Sequence, residues 1–247
     1  MTNDLRTKVL ASIFAGLAWG LAVASTLAGT ITLPFPGPGS LAGCSTSYDN
    51  WRNSSTATVP GYTTVAGGSV VGNLLTMPSS GAGVMGTNAT GKSSGKWIVE
   101  ITATSGVSTF GNPYMAICQG GSSTNVYPGF ASTCWGIKLS NGNRINNNSQ
   151  TSCPSAACGT PGNGDKIAIA YNADIGAMWA GMNGSWWNNA TGAEIAAGTT
   201  THAIWTSLSG TMYWVFGNDN TATSWTSNPG MVGASMAIPT GFCAWST

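Results

Sequence analysis

The sequence has 247 residues, 8 of them basic and 7 acidic, for a formal net charge of +1. That balance holds no basic footprint for nucleic acid, and it leaves polarity to Gly, Ser, Thr and Asn, as suits the outside of a cell or particle. The length accommodates one sizeable β domain plus an extension.

Met1–Lys8 carries Arg6 and Lys8 against Asp4, and no charge follows from Val9 to Tyr48. Residues 9–33 are long enough for a bilayer-spanning helix, which needs roughly 20 apolar residues, so 1–33 is expected to be an apolar, helical extension. Three roles stay open for it. Ala22-Val23-Ala24 suits a cleaved secretory signal over residues 1–24. Gly16, Gly20 and Ala24 at four-residue spacing suit a retained membrane anchor. The same residues also suit burial inside an oligomeric assembly. Leu41-Ala42-Gly43-Cys44 resembles a lipobox but is displaced from the apolar run by Pro34–Gly39. Residues 34–68 read as a linker and an irregular lead-in, because the prolines of Pro34–Ser40 prevent both helix and central strand.

Strand signals begin at Ser69. Val70–Thr76, Lys96–Thr104, Pro113–Gln119, Thr133–Leu139, Asp165–Tyr171, Ala177–Met182 and Tyr213–Phe216 read as short strands between turn-forming residues. Only Ala193–Ala197 hints at a helical repeat. The clearest stretch is Gly164–Trp187. There Ile167, Ile169 and Tyr171 alternate with Lys166, Ala168 and Ala170, Asn172-Ala173-Asp174 turns the chain, and Met178 and Met182 continue the alternation. Asn183-Gly184 then supplies the positive φ angles of a two-residue hairpin. Many short strands at this spacing predict an all-β antiparallel sandwich over residues 69–247.

Three segments, in order, resemble SPRY domains, particularly those of bacteriophage virion proteins. They are Thr90–Thr102 (TGKSSGKWIVEIT), the GDxIxxAxxxxxGxxWxxxNGxW pattern of Gly164–Trp187, and Ile238–Trp245 (IPTGFCAW). The resemblance spans roughly residues 73–247. It implies a concanavalin-like jelly roll that serves as a binding scaffold with changeable loops.

The six cysteines permit 15 full pairings. Cys153 with Cys158 would close a small loop, and Cys118 with Cys134 is the next candidate pair; free buried thiols are the alternative. No Cys-x2-Cys spacing occurs and His202 is the single histidine, so neither a metal site nor a cofactor is expected.

Catalysis is not expected either. Acid/base chemistry needs titratable groups poised beside one another, whereas Asp165 and Asp174 sit where Asp bonds turn backbone, and Glu100 lies in a strand as a paired carboxylate. His202 has no evident orienting partner. Binding is the expected class. Asn141–Ser149 and Asn183–Thr191 bring amides to Trp186 and Trp187, and rings beside fixed amides suit a sugar. Gly120–Phe130 and Gly217–Pro229 read as recognition loops carrying Tyr127 and Trp225. The candidate ligand-binding residues are thus Asn183, Trp186, Trp187, Asn189, Tyr127 and Trp225. The ordinary alternatives are core tryptophans and solvated loops.

With the resemblance, these features lead to a non-enzymatic bacteriophage structural protein on the virion surface, in a capsid, spike or tail fibre. It would attach to host-surface glycan or decorate the particle. The expected partners are other virion proteins and further copies of the chain, with membrane contact through 9–33 and no nucleic acid. A secreted or membrane-tethered bacterial lectin-like adhesin is the alternative.

Overall fold

The computed structural model describes residues 44–45, 69–77, 84–87, 90–107, 112–120, 127–154, 158–219, 222–228 and 230–245, all within the unit Gly37–Thr247. The expected extension over 1–33, and nearly all of the lead-in over 34–68, lie outside the described residues. Among those described, no helix is long and apolar enough to cross a membrane.

The described residues form two sheets. The first runs β1 (Ser69–Val71), β2 (Leu74–Met77), β13 (Thr223–Asn228), β4 (Lys96–Ser105), β9 (Lys166–Asn172), β10 (Ala177–Met182) and β11 (Ser185–Trp186), and β14 (Cys243–Ala244) pairs with the start of β4. The second runs β3 (Val84–Thr87), β12 (Met212–Asp219), β5 (Asn112–Gln119), β6 (Cys134–Lys138), β7 (Asn143–Asn146) and β8 (Ser149–Thr151). Every pairing is antiparallel except that of β14 with β4.

The period-two pattern decides which side chains meet. Ile167, Ile169 and Tyr171 of β9 enter one apolar cluster with Met178, Val99, Ile101 and Trp225 of the first sheet and Met115, Ile117, Ile137, Trp214 and Phe216 of the second. This is the sandwich core. Side chains such as Ile169, 1% exposed, each contribute about 1.5–3 kcal/mol by leaving water. The alternate residues Ile98, Ala170, Ala177 and Trp179 point to the opposite face and form a second cluster with Ile195, Met231, Phe242 and Ala244.

That second cluster exists because the C-terminal chain leaves the sheet and comes back. Asn228 of β13 is opposite Glu100 of β4, and Cys243 and Ala244 of β14 are opposite Trp97 and Ile98 on the same edge. Between these two pairings the chain straps across the outer face. Trp245, fully buried, donates from its indole to Thr90 O at 3.1 Å and stacks near Tyr171. Beside the strap lies α1 (Gly192–Ala197), which buries Ile195. It opens on a capping box between Thr191 and Glu194 and closes at Gly198, with φ of 75°.

Several elements differ from the sequence expectation. Val70–Thr76 is a hairpin rather than one strand, because Gly72 takes a φ of 59° and turns the chain. Asn141–Ser149 holds β7 and the start of β8, joined by the two-residue turn Asn147-Asn148. Gly217–Pro229, expected as a loop, contains the end of β12 and all of β13.

The structure forms three disulfides. Cys118 and Cys134, register partners on β5 and β6, are joined, as are Cys153 and Cys158. The third bond, Cys44–Cys243, ties the lead-in to β14.

Candidate ligand-binding face

The six residues singled out as ligand contacts do not gather in one place. Trp225 is fully buried in the core, with its indole N–H given to Thr223 Oγ1 at 3.1 Å, so it has no surface to offer. Trp187 is also buried there, 4% exposed. Each lies among Ser, Thr and Asn, which makes it resemble a recognition aromatic in sequence; strand alternation turns Trp225 of β13 inward, and Trp187, just past β11, is held against β10 by its N–H to Ala180 O at 2.8 Å. Trp186, next along the chain, is half-buried against the outer cluster. Asn183 is exposed, but its amide is occupied: Oδ1 accepts from Lys166 N at 2.9 Å and Nδ2 donates to Asp165 Oδ1 at 2.7 Å. It closes the foot of the β9–β10 hairpin. Asn189 is exposed, with φ of 59°.

Tyr127 lies on the other sheet. The outward residues of β5, β6 and β12 are Ala116, Cys118, Cys134, Tyr213 and Val215, a small buried cluster of their own. Tyr114 continues that face, and Tyr127 stacks on it with ring centroids 4.6 Å apart. Phe130 then meets Tyr127 edge-on at 5.6 Å. Phe130 is 40% exposed, so its ring remains open to solvent.

The loop carrying these rings is stitched to the β7–β8 hairpin. Asn148 N donates to Gly129 O at 3.1 Å and Asn147 N to Ala131 O at 3.3 Å. The Asn146 amide donates to Ser132 O at 3.0 Å and Cys134 O at 2.7 Å, and the Tyr127 hydroxyl is bonded to Asn148 Oδ1. Gly129 is required here: its φ is 95°, and a Cβ would stand 2.4 Å from Ile145 Cγ2. Asn147 and Asn148, at φ of 51° and 56°, occupy the left-handed positions that Asn tolerates in a tight turn. Phe130, Asn147 and Asn148 are not among the ligand-binding candidates that the sequence offers. The Asn-Asn pair between Arg144-Ile145 and Gln150-Thr151 was the available signal for the turn.

Burial holds the Tyr127 phenol above its ordinary pKa, and the charge of Asp219 adds to the shift. Tyr114 is raised further by the same burial, with Tyr127 and Asp219 contributing. Both phenols are therefore neutral in ordinary buffers. Arg144, the charged residue of β7, points away: its guanidinium donates to Ile204 O at 3.1 Å and lies 5.0 Å from the Trp205 ring.

The acidic residues weighed for catalysis have structural partners. Glu100 Oε2 accepts from Ser235 N, Ser235 Oγ and Met236 N at 2.8, 2.7 and 3.2 Å. Asp165 accepts from Gly162 N and Asn183 Nδ2, both at 2.7 Å, and Asp174 from Gly95 N at 2.7 Å. Glu194 holds His202 Nδ1 at 2.9 Å through one oxygen and caps α1 through the other. His202 thus has a carboxylate partner, which itself serves as the cap of α1. Among the described residues, no three His, Cys, Asp or Glu side chains stand close enough together to hold a metal ion.

The fold is similar to the SPRY domain of human HERC1, with a TM-score of 0.50 and 13% identity, covering 65% of this chain and 91% of that one. Identity at that level speaks for the fold alone. No protein-family model and no curated protein sequence matches the chain.

Proposed function

We propose that this chain is a non-enzymatic bacteriophage virion protein whose SPRY-like sandwich is displayed on the particle surface for host attachment or decoration. The observation that carries the reading is the exposed ring of Phe130, held beside Asn147 and Asn148 on a loop locked to the second sheet. A rigid aromatic surface with adjacent amides suits recognition, because few degrees of freedom remain to be lost on binding. The partners in this reading are other virion proteins, further copies of the chain and a host-surface glycan.

A secreted or membrane-tethered adhesin is the second reading, and the three disulfides favour it equally, since such bonds persist outside the reducing cytoplasm. Mass spectrometry and antibody labelling of purified particles separate the two. The virion reading expects the chain in stoichiometric amount on the particle exterior. Its presence only in culture medium or on bacterial surfaces would overturn it.

A further inference from the structure

We infer that Phe130, flanked by Asn147 and Asn148, is a subsite for an uncharged sugar ring. This deepens the binding reading above and rests on it. The aliphatic C–H face of a pyranose packs on an aromatic face, while its hydroxyls need amide donors and acceptors at the ring's edge. Phe130 supplies the face. Its neighbours Gly129 and Ala131 accept from the backbones of Asn148 and Asn147, which brings both exposed amide side chains to the same loop.

Charge selects among sugars. No charged residue occurs in Tyr127–Cys134 or in Ile145–Cys153, and the guanidinium of Arg144 is committed to Ile204 O and the Trp205 ring. The fixed charge felt at Tyr127 is that of Asp219, which is negative. Lys138, opposite Tyr114 on β6, is a basic residue of the same face, but the Phe130 loop and the β7–β8 turn themselves offer apolar, hydroxyl and amide groups, which match a neutral hexose or N-acetylhexosamine better than a sialylated or sulfated glycan.

Pre-formation supports the same site. The Tyr127 hydroxyl, the Asn146 amide and the Cys118–Cys134 bond fix the loop from three sides. Sugar contacts are individually modest, so a site that need not be ordered on binding retains more of their free energy.

The test is an array of neutral, sialylated and sulfated oligosaccharides probed with the full chain, with Phe130→Ala, and with Asn147→Gly, which keeps the left-handed backbone and removes the amide. Ile175→Ala, an exposed apolar residue in the β9–β10 turn, serves as control. Circular dichroism establishes that each variant is folded. The inference expects retention of neutral glycans, a loss of at least about tenfold in Phe130→Ala, a smaller loss in Asn147→Gly, and no change in Ile175→Ala. Glycan binding unaffected by Phe130→Ala overturns the subsite and leaves the binding reading standing. Retention of charged glycans alone overturns the ligand class. Retention of no glycan, by a chain that still blocks particle adsorption to host cells, overturns the sugar while sparing attachment.

Discussion

Glu100, midway along β4, receives both the backbone N–H and the hydroxyl of Ser235, 135 positions later in the chain. This carboxylate pins the C-terminal strap to the outer face of the first sheet. Its counterpart on the same segment is Lys166, whose ammonium reaches Gly233 O at 3.0 Å. The strap is thus held by polar groups at its middle and by Met231, Phe242 and Ala244 around them.

Replacing Glu100 with Ala would leave three donors under the strap without their acceptor, and hydrogen bonds to charged groups contribute about 1.5–3 kcal/mol each. Because such terms are not additive, the expected loss is about 3–4 kcal/mol in Glu100→Ala and about 1 kcal/mol in Ser235→Ala. Urea unfolding of both variants checks the order. Equal, small effects would mean that the apolar contacts alone hold the strap.

The disulfides are expected to rank by the length of chain they close. Cys44–Cys243 spans 199 positions, Cys118–Cys134 spans 16 and Cys153–Cys158 spans 5. Chain-entropy reasoning gives about 5, 3 and 2 kcal/mol for their removal. Paired Cys→Ser variants, each unfolded in denaturant, test this. The first pair is predicted to lose most, and the reverse order would show that native packing rather than loop closure governs their effect.

Glu194 gives a pH dependence with a definite sign. The Thr191 backbone and hydroxyl bonds, with a further contribution from His202, hold its carboxyl below the ordinary carboxylate range. The folded value is therefore lower than the unfolded one. The stabilisation is present above the unfolded pKa and is lost as pH falls through the folded pKa. In an NMR titration of the side-chain carboxyl, Thr191→Ala, which removes the hydroxyl and keeps the backbone N–H, is expected to return Glu194 part of the way to its ordinary value, and His202→Ala less. A larger shift in His202→Ala would make the ion pair, not the helix cap, the dominant cause.

Tyr171 contributes to the alkaline side, together with the raised phenols of Tyr114 and Tyr127. Burial, followed by the charge of Asp174, pushes its phenol up to about 12 from 10.0. Stability from this group is full below pH 10.0 and is lost as pH rises toward about 12, where the folded phenol ionises. Ultraviolet titration is expected to show Tyr171 ionising together with unfolding. Ionisation near pH 10 in the folded chain would place it in water.

How much of this was legible in the sequence depended on burial contrast. β9 was readable because Ile167, Ile169 and Tyr171 face an apolar core while Ala168 and Ala170 between them are small, and β10 because Met178 continues that alternation after the turn, although Trp179 fills the outer face. β13 was not, because Thr223 and Ser227, both 1% exposed, flank Trp225 and erase the apolar alternation. β8 is exposed along its whole length, so no pattern could mark it. The Cys153–Cys158 and Cys118–Cys134 bonds were readable from proximity in sequence, whereas Cys44–Cys243 depends on where β14 returns to the sheet. For the candidate site, the sequence marks Tyr127 as the aromatic of a polar loop, but its union with Phe130 and the Asn147-Asn148 turn arises only when that loop folds across Ile145.

If the proposed site is right, the chain meets its ligand through the Tyr127–Phe130 loop and the β7–β8 hairpin. Hydrogen–deuterium exchange of the full chain, with and without purified neutral polysaccharide from the host cell surface, addresses it directly. New protection is expected only in residues 127–134 and 143–151. Protection centred on residues 183–192 instead, or no change anywhere in a preparation that retains the polysaccharide, would contradict it.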